Sequence, residues 1–367
     1  MLDVGINSIS RLGKALMHIW IRYATNIALR IRFQTVFKPH PEYRRPIARE
    51  VEKNHIKLWR ALSNDINLDT LRICSNVSGR ANPEIVPEEV FESEIQRSLC
   101  RKHMEIKFMA HKSFYNRWYP GDIFPKSFIH NIEGALFNSQ YKPLIESELP
   151  AILADLEYPV VIKPNTDSMG GANVHFAKNK EELIPLIKGG KNYVIQERIQ
   201  QDEFFAKYNR YCLNTIRVDL YRSVVTNKVH YLHSAFRMGK GGSLDNETAG
   251  GIHCFINDDG HLNDYAVDKV ETKYYKHPDT NFEFSKEDKL PAFEEMKQVA
   301  IKVAQDLFIP RLISLDMCLD TNGRWRVIEI NLTSITIQFA QLGGKPFFAP
   351  FTEEVIEYCK NNPWWKS

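Results

Sequence analysis

A predicted β-hairpin near the C-terminus carries the side chains with the clearest chemical potential. Asp316 lies on its first strand, and Glu329 and Asn331 lie two residues apart on the second, so both project from one face. The turn Asn322-Gly323 places Asp316 opposite or diagonal to that pair. Two carboxylates and an amide oxygen suit Mg²⁺. A solvated hairpin face is the alternative, but the acids have apolar neighbours, and a buried unpaired carboxylate is costly. The pattern therefore favours a metal site.

A second candidate is a lysine at the end of a short apolar strand. Lys163 precedes the loop 167–173, which contains Gly170 and Gly171. Backbone N–H groups of a glycine-rich turn can approach phosphate oxygens closely, and a lysine beside them adds a point charge. A plain hairpin turn is the alternative interpretation. The sequence contains neither the P-loop pattern GxxxxGK[ST] nor GxGxxG after an early strand, which excludes those two nucleotide-binding motifs.

The hydrophobic pattern predicts the elements that would position these groups. Residues 36–110 are predicted to be mainly helical, and 111–150 to hold loops and short elements. Strands are predicted at 158–164, 174–176, 193–197, 213–221, 229–236, 312–319 and 325–331, and helices at 85–100, at 180–188 and from the capping-box residue Ser285 to about Leu307. The glycine-rich segment 239–251 is interpreted as a functional loop. His233 and His253 fall on strand-like segments and are interpreted as core residues rather than bases.

Length and composition bound the class of protein. The 367 residues are 43% hydrophobic and 25% charged, which excludes disordered, collagen-like and coiled-coil classes and suggests two or three subdomains. Lys plus Arg number 48 against 45 Asp plus Glu, and a net charge of +3 does not predict a nucleic-acid partner. The six cysteines form no CxxC or zinc pattern and indicate reduced thiols in the cytoplasm. No apolar run reaches the roughly 18–20 residues of a membrane span, and no signal-peptide pattern is present.

The basic surplus is concentrated in residues 1–35, which are predicted to form an amphipathic helix. This segment holds five basic residues and one acid, Asp3. Its apolar residues recur at spacings of three and four and form one stripe: Ile9, Leu12, Leu16, Ile19, Tyr23, Ile27 and Ile31. Such a helix can lie in an anionic membrane interface, or it can dock on its own domain or on a partner subunit. The sequence leaves these alternatives open.

Several stretches together resemble the ATP-grasp superfamily, and more closely its sugar-transfer-associated proteins of polysaccharide biosynthesis. The superfamily resemblance is carried by Val161-Ile162-Lys163-Pro164, by Val194-Ile195-Gln196-Glu197 and by the order Asp316, Glu329, Asn331. The closer resemblance is carried by residues 214–217, 236–239, 245–251 and 329–331. It covers roughly residues 105–345. It implies an α/β (α+β) fold in which two subdomains clasp ATP.

The resemblance implies a role for each candidate residue. The phosphates and the adenine side of the cleft would be contacted by Lys163, with Lys112 as the earlier nucleotide lysine and Gly170 and Gly171 in the covering loop. Gln196 and Glu197 would face adenine from the hinge strand, and Glu203 is a weaker candidate for ribose. Asp316, Glu329 and Asn331 would hold Mg²⁺. Arg217 and Arg237 would steady the transferred phosphoryl group or the substrate carboxylate.

One position departs from the pattern of D-alanine–D-alanine ligases. Those enzymes carry an arginine two residues before the first metal aspartate, and here that residue is Ser314. We therefore expect Arg217 or Arg237 to supply the charge. The alternative for each arginine is a structural ion pair.

The implied domain order is a basic helix at 1–35, a helical N-terminal domain at 36–110, a central ATP-grasp subdomain with the glycine loop at 111–205, and a C-terminal subdomain with the Mg²⁺ site at 206–367. The implied activity is ATP-dependent ligation of a carboxylate to an amine through an acyl phosphate. The expected substrates are an amino acid or similar amine and a surface-polysaccharide (capsule) precursor. Phosphate transfer by a kinase and non-catalytic binding of nucleotide or glycan are the alternatives. A cytoplasmic protein, peripheral at the inner face of the membrane, is expected.

Overall fold

Two antiparallel sheets organise the protein within the ranges that the computed structural model describes, residues 11–100, 104–166, 173–241, 250–285 and 288–366. The first has five strands in the order β2-β1-β5-β3-β4, and the second has seven in the order β10-β9-β8-β7-β6-β11-β12. The first sheet comprises β1 Ser127–Ile132, β2 Ala135–Asn138, β3 Val160–Pro164, β4 His175–Ala177 and β5 Tyr193–Glu197. The second comprises β6 Thr215–Arg222, β7 Val229–Met238, β8 Ile252–Ile256, β9 Leu262–Val267, β10 Lys273–Tyr274, β11 Leu312–Leu319 and β12 Trp325–Asn331.

Helices precede, connect and follow the sheets. They are α1 Arg11–Phe37, α2 Arg49–Trp59, α3 Asp69–Ser78, α4 Glu88–Val90, α5 Gln96–Leu99, α6 Met104–Met109, α7 Tyr115–Trp118, α8 Leu149–Ala154, α9 Lys180–Gly189, α10 Glu203–Ala206, α11 Phe293–Gln305, α12 Gln338–Leu342 and α13 Thr352–Asn361. A π-helical turn, Phe91–Ile95, joins α4 to α5. None of the helices in the described ranges has the length and apolarity that crossing a bilayer requires.

The seven-stranded sheet separates an apolar face from a polar one. Side chains alternate between the faces of a strand, so Ile216 and Val218 of β6 pack with α11 in the largest core cluster, while Arg217 and Asp219 project to the opposite face. On β11, Leu315 joins the same core and Asp316 projects with Arg217, its partner in the strand register. Charged groups from separate segments are therefore gathered on one sheet face.

The five-stranded sheet is stabilised by a smaller core. Its buried side chains from β3 and β5 pack against Leu153 of α8 and Leu183 of α9. This packing fixes the end of β3, where Lys163 pairs in register with Val194. Other helices pack against the remaining parts of the seven-stranded sheet: α3 and the end of α1 lie against β9, and α12 and α13 pack with the helices around the π-helical turn.

The structure confirms most predicted elements. The hairpin β11–β12 forms as predicted, with Asp316 directly opposite Glu329. The predicted helix start at Ser285 is wrong, because α11 begins at Phe293 and the Asp288 carboxylate instead accepts hydrogen bonds from Lys207 and Tyr208. Strands β1, β2, β9 and β10 were not predicted, because neighbouring strands rather than local sequence patterning stabilise them.

Glu89 gives the stability of the protein a specific dependence on pH. Its buried carboxylate accepts a hydrogen bond from the Asn67 backbone N–H at 2.9 Å, and burial raises its pKa from 4.5 to about 7. The unfolded chain loses this proton first, so the stabilisation is complete below pH 4.5 and is lost as the pH rises through about 7. Glu89→Gln keeps the acceptor and cannot ionise.

We therefore compare the free energy of unfolding of Glu89→Gln with that of the wild type. From the acid side to the alkaline side of this pH range, the difference should shift in favour of the variant by about 3 kcal/mol. Urea unfolding of both proteins across the same pH series measures the difference. A difference that stays constant with pH would show that Glu89 does not titrate in this way.

Candidate active site

Asp316 is the centre of a buried charge cluster on the seven-stranded sheet. Its Oδ1 accepts hydrogen bonds from Arg217 Nε at 2.6 Å and from Arg237 Nη1 at 3.0 Å. Asn331 Nδ2 donates to Asp316 Oδ2 at 3.4 Å. Burial acts to raise the pKa of Asp316, but the charges of Arg217 and then Arg237 hold it below its usual value. Four neighbouring strands, β7, β6, β11 and β12, supply these groups.

Two lysines approach the same strands from the side of the five-stranded sheet, Lys163 from the end of β3 and Lys112 from a 3-10 turn just before α7. Lys112 Nζ lies 2.8 Å from Glu329 Oε1, and Lys163 Nζ donates to the backbone oxygen of Ile328 at 3.4 Å. Both lysines are almost fully buried. Burial, followed by the charge of Lys112, lowers the pKa of Lys163 to about 8. The structure thus brings together the predicted lysines, acids and arginines in one cleft between the sheets.

Asn165 fixes the position of Lys112, and sequence reasoning missed it. The backbone N–H of Lys112 donates to Asn165 O at 3.0 Å, and Ser113 Oγ donates to Asn165 Oδ1 at 2.7 Å. Asn165 Nδ2 donates to the backbone oxygen of Asn131 in β1 at 2.8 Å. Asn165 is completely buried. Its backbone oxygen holds Lys112, and its side chain ties the neighbouring Ser113 to β1. Its place directly after Pro164 was the only local signal.

Ser314, which stands where the D-alanine–D-alanine ligases carry an arginine, contacts a buried acid. Ser314 Oγ donates a hydrogen bond to Asp219 Oδ1, and His233 Nδ1 lies 3.4 Å from Asp219 Oδ2. Burial raises the pKa of Asp219 to about 7. A serine therefore stands beside an acid here, and the guanidinium groups next to Asp316 come from Arg217 and Arg237 on β6 and β7. Local sequence gave no signal for Asp219.

The two histidines are core residues, as the sequence suggested. His253 is opposite Arg237 in the strand register, and its ring centroid lies 4.2 Å from that of Phe339. Burial, with the charge of Arg237, lowers the pKa of His253 to about 3. Burial also lowers the pKa of His233 well below its usual value. Both rings are therefore neutral near pH 7.

The predicted adenine-side residues occupy different environments. Gln196 is buried, and its Nε2 donates to Ser127 Oγ at 3.1 Å. Glu197 accepts from Arg326 Nη2 at 2.6 Å, so it is already held in an ion pair. Glu203 lies at the surface, where it pairs with Arg210 at 2.5 Å and its side chain is 76% exposed. The role of Glu203 at the ribose therefore stays a prediction.

Part of the predicted site lies outside the described residues. Gly170 and Gly171 are there, as are residues 242–249 of the predicted loop. At the described start of that loop, the Gly239 backbone oxygen accepts hydrogen bonds from Asn209 Nδ2 at 2.8 Å and from His277 Nε2 at 2.9 Å. These bonds fix the point where the loop leaves β7.

The donor set fits a Mg²⁺ ion that also binds phosphate. In the described ranges, no group of three or more His, Cys, Asp or Glu side chains could hold a metal by itself. Asp316 and Glu329 are directly opposite each other, and Asn331 contacts Asp316 through its amide. Mg²⁺ is commonly bound by one or two carboxylates, with waters and substrate phosphates completing its shell. Two carboxylates and an amide leave room for such waters and phosphates, so this donor set suits Mg²⁺ bound together with a phosphate ligand.

The cluster predicts that Asp316 contributes strongly to stability. Asp316→Ala removes the carboxylate that faces two buried guanidinium groups, so we expect a loss of about 3 kcal/mol in the free energy of unfolding. The matched control Asp122→Ala removes a partner of Arg324 at the surface and should cost less than about 1 kcal/mol. Urea denaturation measures both, and equal losses would contradict the charge-cluster interpretation.

Comparisons with known proteins give one family match and a set of similar solved structures. Residues 174–355 match the family model described as sugar-transfer associated ATP-grasp. No curated protein matches the sequence. Similar solved structures include a D-alanine–D-alanine ligase from Bacillus anthracis complexed with ATP, with 16% identity and a TM-score of 0.40 over 72% of this chain and 67% of that one.

Two other similar structures have comparable scores. VanG D-Ala:D-Ser ligase from Enterococcus faecalis has 14% identity and a TM-score of 0.40, over 72% of this chain and 63% of that one. N5-carboxyaminoimidazole synthetase from Staphylococcus aureus complexed with ADP has 10% identity and a TM-score of 0.34, over 59% and 41%. The match thus spans less than two thirds of these two enzymes. Residues 174–355, about half of the chain, thus match the sugar-transfer associated ATP-grasp family, which is the resemblance that the sequence indicated.

Proposed function

We propose that the protein is an ATP-dependent ligase that joins a carboxylate to an amine through an acyl phosphate. The observation that carries this proposal is the cleft in which Lys112 and Lys163 from one side meet Glu329 and Asp316 from the other. The family match supports the nucleotide, because ATP-grasp proteins are named for this ligand.

The charge balance of the cleft suits a polyphosphate. Four cationic side chains, Lys112, Lys163, Arg217 and Arg237, face the two carboxylates of Asp316 and Glu329. Among these six groups the excess is two positive charges, and ionised Asp219 on the same sheet face, whose pKa is about 7, would reduce it to one. The excess lies in a largely buried site, where electrostatic attraction is stronger than in water. We infer that the two lysines bind the ATP phosphates and that Gln196 and Glu197 lie on the adenine side.

Asp316, Glu329 and the amide oxygen of Asn331 would hold Mg²⁺, which supplies positive charge against the phosphate oxygens when bound. Arg217 and Arg237 already contact Asp316 and are fixed by their strands. They would orient the substrate carboxylate or the transferred phosphoryl group. Such positioning, together with electrostatic stabilisation, accounts for most catalysis of phosphoryl transfer.

The proposed reaction has two steps. A carboxylate oxygen of the substrate attacks the γ-phosphorus of ATP, and the bond to the leaving oxygen of ADP breaks. The amine nitrogen then attacks the carbonyl carbon of the acyl phosphate and loses a proton to solvent, and inorganic phosphate leaves with the electron pair of the broken C–O bond. Exclusion of water from the site would protect the acyl phosphate from hydrolysis.

The family description supports a sugar-containing acceptor. We propose that the carboxylate belongs to a surface-polysaccharide precursor, such as a uronic acid, and that the amine is an amino acid. A kinase would use the same nucleotide site but would form a phosphoester. A binding module would retain the nucleotide and release no ADP.

We expect ADP and inorganic phosphate to be released only when a carboxylate and an amine are both present, with an amide as the product. A screen of amino acids against uronic acids, followed by mass spectrometry, tests this expectation. A phosphoester product would establish the kinase alternative. ATP binding without turnover across the whole screen would favour the binding module.

Glu329→Gln should lower ADP release by about a hundredfold or more, because the change removes one carboxylate from the proposed Mg²⁺ site while keeping an oxygen for Lys112. Glu294→Gln is the matched control, since Glu294 is exposed on α11 and pairs only along that helix with Lys297. Rates and melting temperatures are measured for both. Full activity of Glu329→Gln would refute its role at the metal.

The lowered pKa of Lys163 predicts that the protein takes up a proton when nucleotide binds. Its pKa of about 8 reflects burial and the charge of Lys112, and a bound polyphosphate would raise that pKa. At a pH between about 8 and 9, Mg·ATP binding should therefore take up part of a proton. Calorimetry in buffers of different ionisation enthalpy measures this uptake, and Lys163→Arg should abolish it while retaining binding. Equal uptake by the variant would assign the proton to another group.

A further inference from the structure

Helix α1 turns its polar side toward the protein. His18 Nε2 lies 2.6 Å from Glu94 Oε1, and Arg22 Nη2 donates to Ser63 Oγ at 2.6 Å. Glu94 is buried on the π-helical turn. These contacts fix the rotation of the first half of α1, because a buried carboxylate that lost its partners would be costly.

The second half of α1 is fixed by a further pair of buried acids. Arg32 Nη1 donates to Glu88 Oε1 at 2.8 Å, and its Nη2 donates to Glu271 Oε1 at 2.7 Å. After this arginine, Phe33 and Val36 are fully buried in the core that α3 shares. Ion pairs and the buried end of the helix therefore determine which side of α1 faces outward.

The outward side is an apolar stripe. Its members are Leu12, Leu16, Ile19, Trp20, Tyr23, Ile27 and Ile31, with exposures between 41% and 71%. At about 100° per residue they fall within a sector of about 120°, over a length of about 28 Å. Ile9, which the sequence pattern adds to this stripe, lies outside the described residues. Seven of the sixteen exposed large hydrophobic side chains in the described ranges lie on this one helix, and such a concentration indicates an interaction surface.

The charges around the stripe indicate its partner. No Asp or Glu occurs between Arg11 and Phe37. Arg30 is exposed within the same sector near the C-terminal end of the stripe, and Arg44 Nη2 donates to Gln34 Oε1 at 2.6 Å close to it. Trp20 and Tyr23 lie near its middle, and such rings favour the interface between water and lipid. Pairing of the stripe with a second copy would bury the exposed guanidinium of Arg30 among apolar side chains, with no acid on either helix to pair with it.

We propose that the α1 stripe binds the surface of an anionic membrane, with the helix parallel to the bilayer plane. The apolar side chains enter the headgroup boundary, and Arg30 and Arg44 contact the lipid phosphates. The surface lies on α1 and shares no residue with the nucleotide cleft. The membrane proposal can therefore be tested independently of the proposed ligase activity.

Co-sedimentation of the full chain with vesicles tests the proposal. Vesicles of equal parts phosphatidylcholine and phosphatidylglycerol should bind the wild type, and phosphatidylcholine alone should bind it less. The combined substitutions Leu16→Gln, Ile19→Gln and Tyr23→Gln should lower binding at least about tenfold, since they remove apolar area from the contact. Arg30→Gln should lower it about fivefold at low salt.

The matched control replaces three equally exposed apolar residues elsewhere, as Tyr211→Gln, Val225→Gln and Phe308→Gln. This control should bind vesicles like the wild type, and unchanged melting temperatures establish that all variants are folded. The proposal is overturned if the wild type does not bind anionic vesicles, or if the stripe variant and the control variant bind them equally. A third outcome also overturns it: the wild type does not bind vesicles, sedimentation equilibrium shows that the wild type and the control variant are dimers, and the stripe variant is a monomer.

Discussion

Charge compensation in the cleft between the two sheets is the interaction on which the rest of the structure depends. Asp316 and Glu329 are held on adjacent strands, and burial of either carboxylate without a cation would be costly. Arg217 and Arg237 balance the first acid, and Lys112 balances the second. The same cations repel one another without those acids. The cleft is thus preorganised for a ligand that brings more negative charge than the acids supply.

This compensation requires accurate placement of separate segments. The strand register puts Arg217 opposite Asp316, and the hydrogen bonds of Asn165 hold Lys112 from the other side. Helix α1 shows the same physical rule at the protein surface. Its basic side turns inward because buried Glu88 and Glu94 need partners, and its apolar side must then face outward.

Much of the site could be predicted from local sequence. Asp316, Glu329 and Asn331 were recognisable because a short hairpin fixes their relative positions within sixteen residues. Lys163 was recognisable from its place at the end of an apolar strand. Asp219 and Asn165 were not recognisable, since their partners are contributed by distant segments. The start of α11 was predicted too early for a related reason: Asp288 forms tertiary hydrogen bonds instead of a helix cap.

By itself, the sequence determined the resemblance to the ATP-grasp family, the order of the nucleotide and metal candidates, and the basic, amphipathic character of the first helix. These features depend on residue type and short spacing. Only the tertiary structure decided that both arginines contact Asp316, that Glu203 faces solvent and that the apolar stripe of α1 is exposed. The periodicity of a helix shows that it has two faces, but which face is buried depends on the groups that the rest of the fold presents to it.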